Sequence, residues 1–266
     1  MSRHLLQNVG RWLLAIRPRT LVLSLAPVLA GIALAMAQTG ALAIWTALGT
    51  ALAALGIQIG TNLHNDAVDF ERGTDGPDRL GPARAAAQGW FTPAQVRRAA
   101  HLAFGLSLLL GLALVIRGGW PILALGLVSI AAGYAYTSGP RPIAYGPFGE
   151  LFVLAFFGIA AVVGTYYLQT LAVTGTALVL GLAFGLPAAA VLLLNNYRDE
   201  ATDRVAGRHT LVMVLGRPAA RSLYAALVLL PIALLLLALP LGAPGEAILA
   251  PVLGPRPEGV LPGIPG

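Results

Sequence analysis

The chain has 266 residues, of which 57% are hydrophobic and 11% charged, with a mean hydropathy of +0.78. A soluble domain carries about 25% charged residues, so this composition excludes one and reads as a polytopic membrane protein. There is no cysteine, and all 17 basic residues are arginine, which excludes a disulfide framework, thiolate chemistry, Schiff-base catalysis and a Walker-type phosphate lysine. The net charge of +6 comes from arginines scattered among apolar segments with no basic run, so no nucleic-acid partner is expected.

Residues 1–19 carry Arg3, Arg11, Arg17 and Arg19 ahead of an apolar run. The long charged lead and Pro18 favour a first membrane helix over a cleaved signal peptide. A span needs roughly 20 apolar residues. Such stretches occur at 20–38, 42–64, 97–116, 119–137, 149–168, 173–196 and 218–241. A shorter eighth, 245–254, runs into an irregular Pro/Gly-rich tail over 251–266. The segments 1–19, 65–98, 138–148 and 197–217 hold most of the arginines and alternate with the uncharged linkers 37–41 and 168–174. The positive-inside rule therefore places the N-terminus and these segments in the cytoplasm. Arg117 is the misfit, on the outer side. Period-two alternation is absent, so a barrel is not expected. The predicted fold is all-α, one transmembrane helical bundle over residues 1–266. Small residues such as Gly49, Ala53, Gly56 and Gly60 allow close helix contact where lipid offers no hydrophobic drive.

Eight of the eleven acidic residues fall in two short segments, each closing an apolar stretch. The first runs from Asn62 through Asn65, Asp66, Asp69 and Glu71 to Asp75 and Asp78; the second holds Asn195, Asn196, Asp199, Glu200 and Asp203. A carboxylate costs roughly 2.5–3.5 kcal/mol at a membrane helix centre, so two matched clusters call for a counter-charge. Asn62, Asp66 and Asp69 share one helical stripe, as do Asn195, Asp199 and Asp203. Each stripe offers only oxygen-bearing groups, the ligand type Mg²⁺ prefers. Asn65, Asn196, Glu71 and Asp75 add further acceptors. Both stripes fall at helix C-terminal ends, where the backbone already carries about half a negative charge, which strengthens the need for a cation. His64 and His209 lie beside the clusters without the spacing of a two-His site. Arg72, Arg141, Arg198, Arg204 and Arg208 lie on the same side, where each either grips phosphate through a bidentate fork or serves topology. The clusters recur four spans apart, which suggests a parallel repeat with both patches facing one space. A divalent-cation transporter could use the same carboxylates; the nearly wholly apolar third and seventh spans favour an enzyme.

The motif Asn65-Asp66-Ala67-Val68-Asp69, with Asn195-Asn196-Tyr197-Arg198-Asp199 and Asp203, resembles the UbiA superfamily of intramembrane prenyltransferases. Arg17-Pro18-Arg19-Thr20, Leu80-Gly81-Pro82, Tyr136-Thr137-Ser138-Gly139-Pro140-Arg141-Pro142, Gly164 to Thr170 and Gly207-Arg208-His209-Thr210-Leu211 look like its 1,4-dihydroxy-2-naphthoate branch. The resemblance covers about residues 10 to 220. It implies transfer of a polyprenyl group from polyprenyl diphosphate to 1,4-dihydroxy-2-naphthoate, giving demethylmenaquinone with loss of diphosphate and CO₂. It also implies Mg²⁺ at Asp66, Asp69, Asp199 and Asp203, with Asn62, Asn65, Asn195 and Asn196 as further ligands. Arg72, Arg141, Arg198 and Arg208 would bind diphosphate, and Tyr134, Tyr136 and Tyr166 the acceptor or an allylic cation. Other acceptors within the superfamily are 4-hydroxybenzoate, homogentisate and a chlorophyllide. The family has nine helices where this sequence supplies seven clear spans and a stub. Arg208 stands where relatives often carry lysine, exchanging a point charge for a fork.

Overall fold

Caps and turn residues set the helix boundaries in the computed structural model, which describes residues 3–74 and 83–238. Asp75, Asp78, the Leu80-Gly81-Pro82 motif, the eighth stretch and the tail lie outside the described residues. In chain order the helices are α1 (Arg3–Ala15), α2 (Pro18–Thr39), α3 (Ile44–Glu71), α4 (Pro93–Gly118) and α5 (Trp120–Ala135). After a 3₁₀ turn at Ile143–Tyr145 come α6 (Gly149–Leu154), a π-helical turn at Ala155–Ala160 and α7 (Ala161–Thr170), which together form one span, Gly149–Thr170. Then follow α8 (Gly175–Arg198), α9 (Glu200–Val205), α10 (Leu211–Leu215) and α11 (Arg217–Ala238).

Six of these rods are long and apolar enough to cross a membrane. The 119–137 stretch forms only the 16-residue α5, about 24 Å at 1.5 Å per residue and short of a full hydrocarbon core. Among the described residues six helices thus reach span length and the 119–137 stretch forms a shorter apolar helix. The start of α4 moves out to Pro93 because Thr92 builds a capping box with Gln95: the Gln95 N–H donates to Thr92 Oγ1 at 3.3 Å and the Thr92 N–H to Gln95 Oε1 at 2.8 Å. Its other end turns at Gly119, whose φ of 66° lets the chain fold straight back into α5.

The bundle pairs α3 with α4 and α8 with α11, and the same four-span offset relates the two pairs. The halves join where α2 packs on α7 and α8. Small residues set these distances. A Cβ on Gly158 in the π turn would lie 2.5 Å from the Gly181 carbonyl oxygen and 2.5 Å from Gly185 Cα, so only glycine lets α8 approach there. Arg117 has a structural explanation. From the last turn of α4 it donates to the carbonyls of Leu168 at 2.6 Å and Gln169 at 2.8 Å. It thereby caps the C-terminus of α7, whose final carbonyls have no partner in their own helix.

Candidate active site at the end of an apolar cavity

A cavity of about 370 Å³ runs through the bundle. Near the C-terminal ends of α3 and α8 its wall is polar, with Arg17, Gln58, Asn62, Asn65, Tyr136 and Asn195. Toward the opposite end it is apolar, with Leu114, Val115, Ile122 and Leu168. Phe152, Phe156 and Phe157 border it from α6 and the π turn; such turns interrupt helices most often at functional sites. The shape suits an amphiphile with a polar head and a long greasy tail.

The acidic clusters meet beside the polar end. α3 continues to Glu71, seven residues beyond the predicted 42–64 stretch, so Asp66 and Asp69 sit in its last turns and both are 1% exposed. Asp66 accepts from the Ala85 N–H at 2.7 Å and the Ala86 N–H at 3.2 Å. Asp69 Oδ2 accepts from Arg84 Nη1 at 2.7 Å, and Arg84 also donates to the Asn65 carbonyl at 3.1 Å. From the other cluster Arg208 reaches across: its guanidinium lies 3.4 Å from Asp69 Oδ2 and 3.3 Å from Asp203 Oδ1. Burial opposes the charge on Arg208, but Asp69, Asp203 and Tyr145 outweigh it and raise its pKa above the ordinary arginine value.

The second cluster does not form one continuous helical stripe. α8 ends at Arg198, Asp199 takes φ −93° and ψ 8°, and Asp203 sits on the separate helix α9. The backbone bonds from Asp199 N to Asn195 O and from Asp203 N to Asp199 O persist, so Asp203 still turns inward and is buried. Asp199 is held by its neighbour, with Arg198 Nε donating to Oδ1 at 2.7 Å and Nη2 to Oδ2 at 2.6 Å.

The asparagines divide by role. Asn62 donates to the Ile16 carbonyl at 3.0 Å and to Thr20 Oγ1 at 2.8 Å, tying α3 to the start of α2. Asn65 Oδ1 accepts from Thr137 Oγ1 at 2.6 Å. Asn196 donates to Glu150 Oε1 at 2.9 Å. Asn195 lines the cavity. Of the predicted arginines, Arg72 and Arg208 lie over the Tyr145 ring at 5.3 and 5.0 Å, while Arg141 is exposed. Exposed Arg204 pairs with Glu200 at 3.2 Å. Of the three tyrosines only Tyr136 faces the cavity. Tyr134 bonds His101 Nδ1 at 2.7 Å and packs on His64 and Phe104. Tyr166 donates to Gln38 Oε1 at 2.5 Å between α2 and α7. Glu71 pairs with Arg97 on the surface.

Sequence reasoning gave no site role to Arg84, Tyr145 or Glu150, nor to Arg17, which it quoted only within a motif of the resemblance. Arg84 carried no local signal beyond its small neighbours Ala85 and Ala86. Glu150 did carry one, as a lone carboxylate at the opening of the 149–168 apolar stretch. Arg17, half-buried at the cavity wall, adopts φ 55° ahead of Pro18, a backbone choice set by the corner between α1 and α2.

The donor set fits a magnesium ion. Asp69 Oδ1 is buried without a hydrogen-bond partner, while Oδ2 of the same carboxylate faces Arg84 and Arg208. Magnesium keeps several waters and uses one or two carboxylates together with substrate phosphates; among the described residues no three His, Cys, Asp or Glu side chains converge into a cage.

A membrane-spanning helical bundle with two acidic clusters at the head of an amphiphile-shaped cavity defines the class: an intramembrane enzyme acting on a lipid with an anionic head. The UbiA prenyltransferase family model matches residues 24–255, and the chain belongs to that family. It is 40% identical over 217 residues to a 1,4-dihydroxy-2-naphthoate octaprenyltransferase of Mycobacterium tuberculosis, covering 82% of this chain and 74% of that one. It is 38% identical over 235 residues to the Escherichia coli protein of the same name, covering 86% and 76%. Its fold matches a UbiA homolog from Archaeoglobus fulgidus bound to GPP and Mg²⁺ at a TM-score of 0.68 and 18% identity, over 91% of this chain and 82% of that one.

Proposed function

We propose that the chain transfers a polyprenyl group from polyprenyl diphosphate to 1,4-dihydroxy-2-naphthoate. The allylic C–O bond breaks and diphosphate leaves. A C–C bond forms at the ring carbon bearing the carboxylate, and loss of CO₂ gives demethylmenaquinol, the reduced form of demethylmenaquinone. The observation that carries this reading is the meeting of the two acidic clusters, joined by Arg208 between Asp69 and Asp203, at the polar end of an otherwise apolar cavity. The names of the two relatives supply the acceptor.

Asp66, Asp69, Asp199 and Asp203, with Asn65 and Asn195 beside them, would hold Mg²⁺. Bound there, the ion supplies Lewis-acid stabilisation of the departing diphosphate charge. Arg208 and Arg72 present guanidinium groups to the diphosphate oxygens, and Arg208 can do so as a fork. The apolar wall accepts the isoprenoid tail and keeps water from the allylic cation. Tyr136, at the polar end of the cavity, offers its ring face to the cation. Asn62 and Asn196 act by holding α3 and α8 in place. The enzyme is a multi-pass protein of the plasma membrane with the acidic clusters on the cytoplasmic side, a placement that rests on the arginine-rich segments flanking them.

Purified protein incubated with prenyl diphosphates and several aromatic acids tests this directly, with products identified by mass. Prenylated naphthoquinol is expected with Mg²⁺ and is lost on chelation. Asp66→Asn and Asp199→Asn abolish turnover while the protein still inserts. Full activity in either variant removes that carboxylate from the metal site.

A further inference from the structure

We propose that α1 is an interfacial helix that binds the surface of the bilayer on the acidic-cluster side through anionic phospholipid. Leu6, Val9 and Leu13 share one face of α1 and are 52%, 47% and 53% exposed, left uncovered by the described residues. Gln7, Asn8 and Arg11 are exposed on the opposite face. Thirteen residues reach about 20 Å, too short to span, and amphipathic helices of this kind lie in the headgroup layer.

Three observations commit the face to lipid. The first is continuity with the membrane-facing surface. Only Ile16 and Arg17 separate α1 from α2, and the corner is fixed by Arg17 N–H to Leu14 O at 3.1 Å and Thr20 N–H to Arg17 O at 2.9 Å. α1 is therefore held at the level where α2, exposing Val22 and Leu29, enters the membrane. The second is charge: Arg11 and Arg19 are exposed and, with Arg3, lie in a stretch with no acidic residue before Asp66, which favours an anionic leaflet. The third is the anchoring of the inner side. Trp12 stacks on Phe91 with ring centroids 4.0 Å apart, and Ala15 is buried with Leu63, Ala67 and Ala85. This fixes the rotation of α1 and turns Leu6, Val9 and Leu13 outward. It also connects lipid seating to the site, since Ala85 donates to Asp66.

The absence of native cysteine permits a clean test. Leu6→Cys, Gln7→Cys, Val9→Cys, Arg11→Cys and Leu13→Cys are spin-labelled one at a time in the full chain. The chain is placed in nanodiscs of phosphatidylcholine alone or with phosphatidylglycerol. Labels at 6, 9 and 13 should show a several-fold higher ratio of oxygen to nickel-chelate accessibility than labels at 7 and 11, and phosphatidylglycerol should drive the label at 9 deeper. Uniform water accessibility overturns the proposal. Spin–spin broadening at 9 and 13, the sign of a second copy of this chain on that face, overturns it as well. Equal depth in the two lipids overturns the role of anionic lipid.

Discussion

Arg84 is the most stringent test of how the buried charges are balanced. The Arg84 and Asp69 side chains are 6% and 2% exposed and bond at 2.7 Å. Arg84→Met leaves the Asp69 carboxylate buried with Arg208, 3.4 Å from Oδ2, as its remaining cation among the described residues. Removing one partner of a buried pair costs about 3–5 kcal/mol because the survivor keeps its desolvation penalty. Arg208 offsets part of this, so the lower end, about 3 kcal/mol, is expected. At about 2–4 °C per kcal/mol this lowers the unfolding midpoint by on the order of 10 °C. The double change Arg84→Met with Asp69→Leu removes both charges and should recover at least half of the loss, since apolar replacement of a buried pair is often neutral. Thermal unfolding in detergent, compared across the wild type and the two variants, reads this out. An Arg84→Met midpoint equal to wild type refutes the reasoning, as does a double variant less stable than the single.

Gly158→Ala should separate α8 from the π turn and sharply reduce folded yield, since its Cβ meets backbone at 2.5 Å. Gly105→Ala, with open space around the new Cβ, should be neutral or gain up to about 1 kcal/mol; size-exclusion profiles and midpoints separate the two. Arg117→Met removes two bonds to the end of α7 and should cost about 1.5–3 kcal/mol for each charged bond at most, seen in the midpoint with the KM for prenyl diphosphate unchanged. Tyr136→Leu should lower kcat, whereas Tyr134→Leu and Tyr166→Leu should lower stability at near-normal kcat, because only Tyr136 borders the cavity. Equal kcat losses in all three would remove Tyr136 from the reaction.

The class of fold was legible in the sequence for a simple physical reason. Lipid forces backbone bonds to close within each helix, so twenty-residue apolar runs translate directly into rods. Carboxylates are costly beside such rods, which singled out Asp66, Asp69, Asp199 and Asp203 as candidates. Which donors complete the site was decided by tertiary structure. Asp69 meets Arg84 and Arg208 from distant segments, and nothing in the local sequence distinguishes these from topological arginines. Spacing grouped Asn62 with the metal ligands, and the family resemblance assigned Tyr134 and Tyr166 to the acceptor or cation. Packing instead directs Asn62 to the start of α2, Tyr134 to His101 and Tyr166 to Gln38, because a side chain's partner depends on which helices lie across from it, and periodicity within one helix does not contain that.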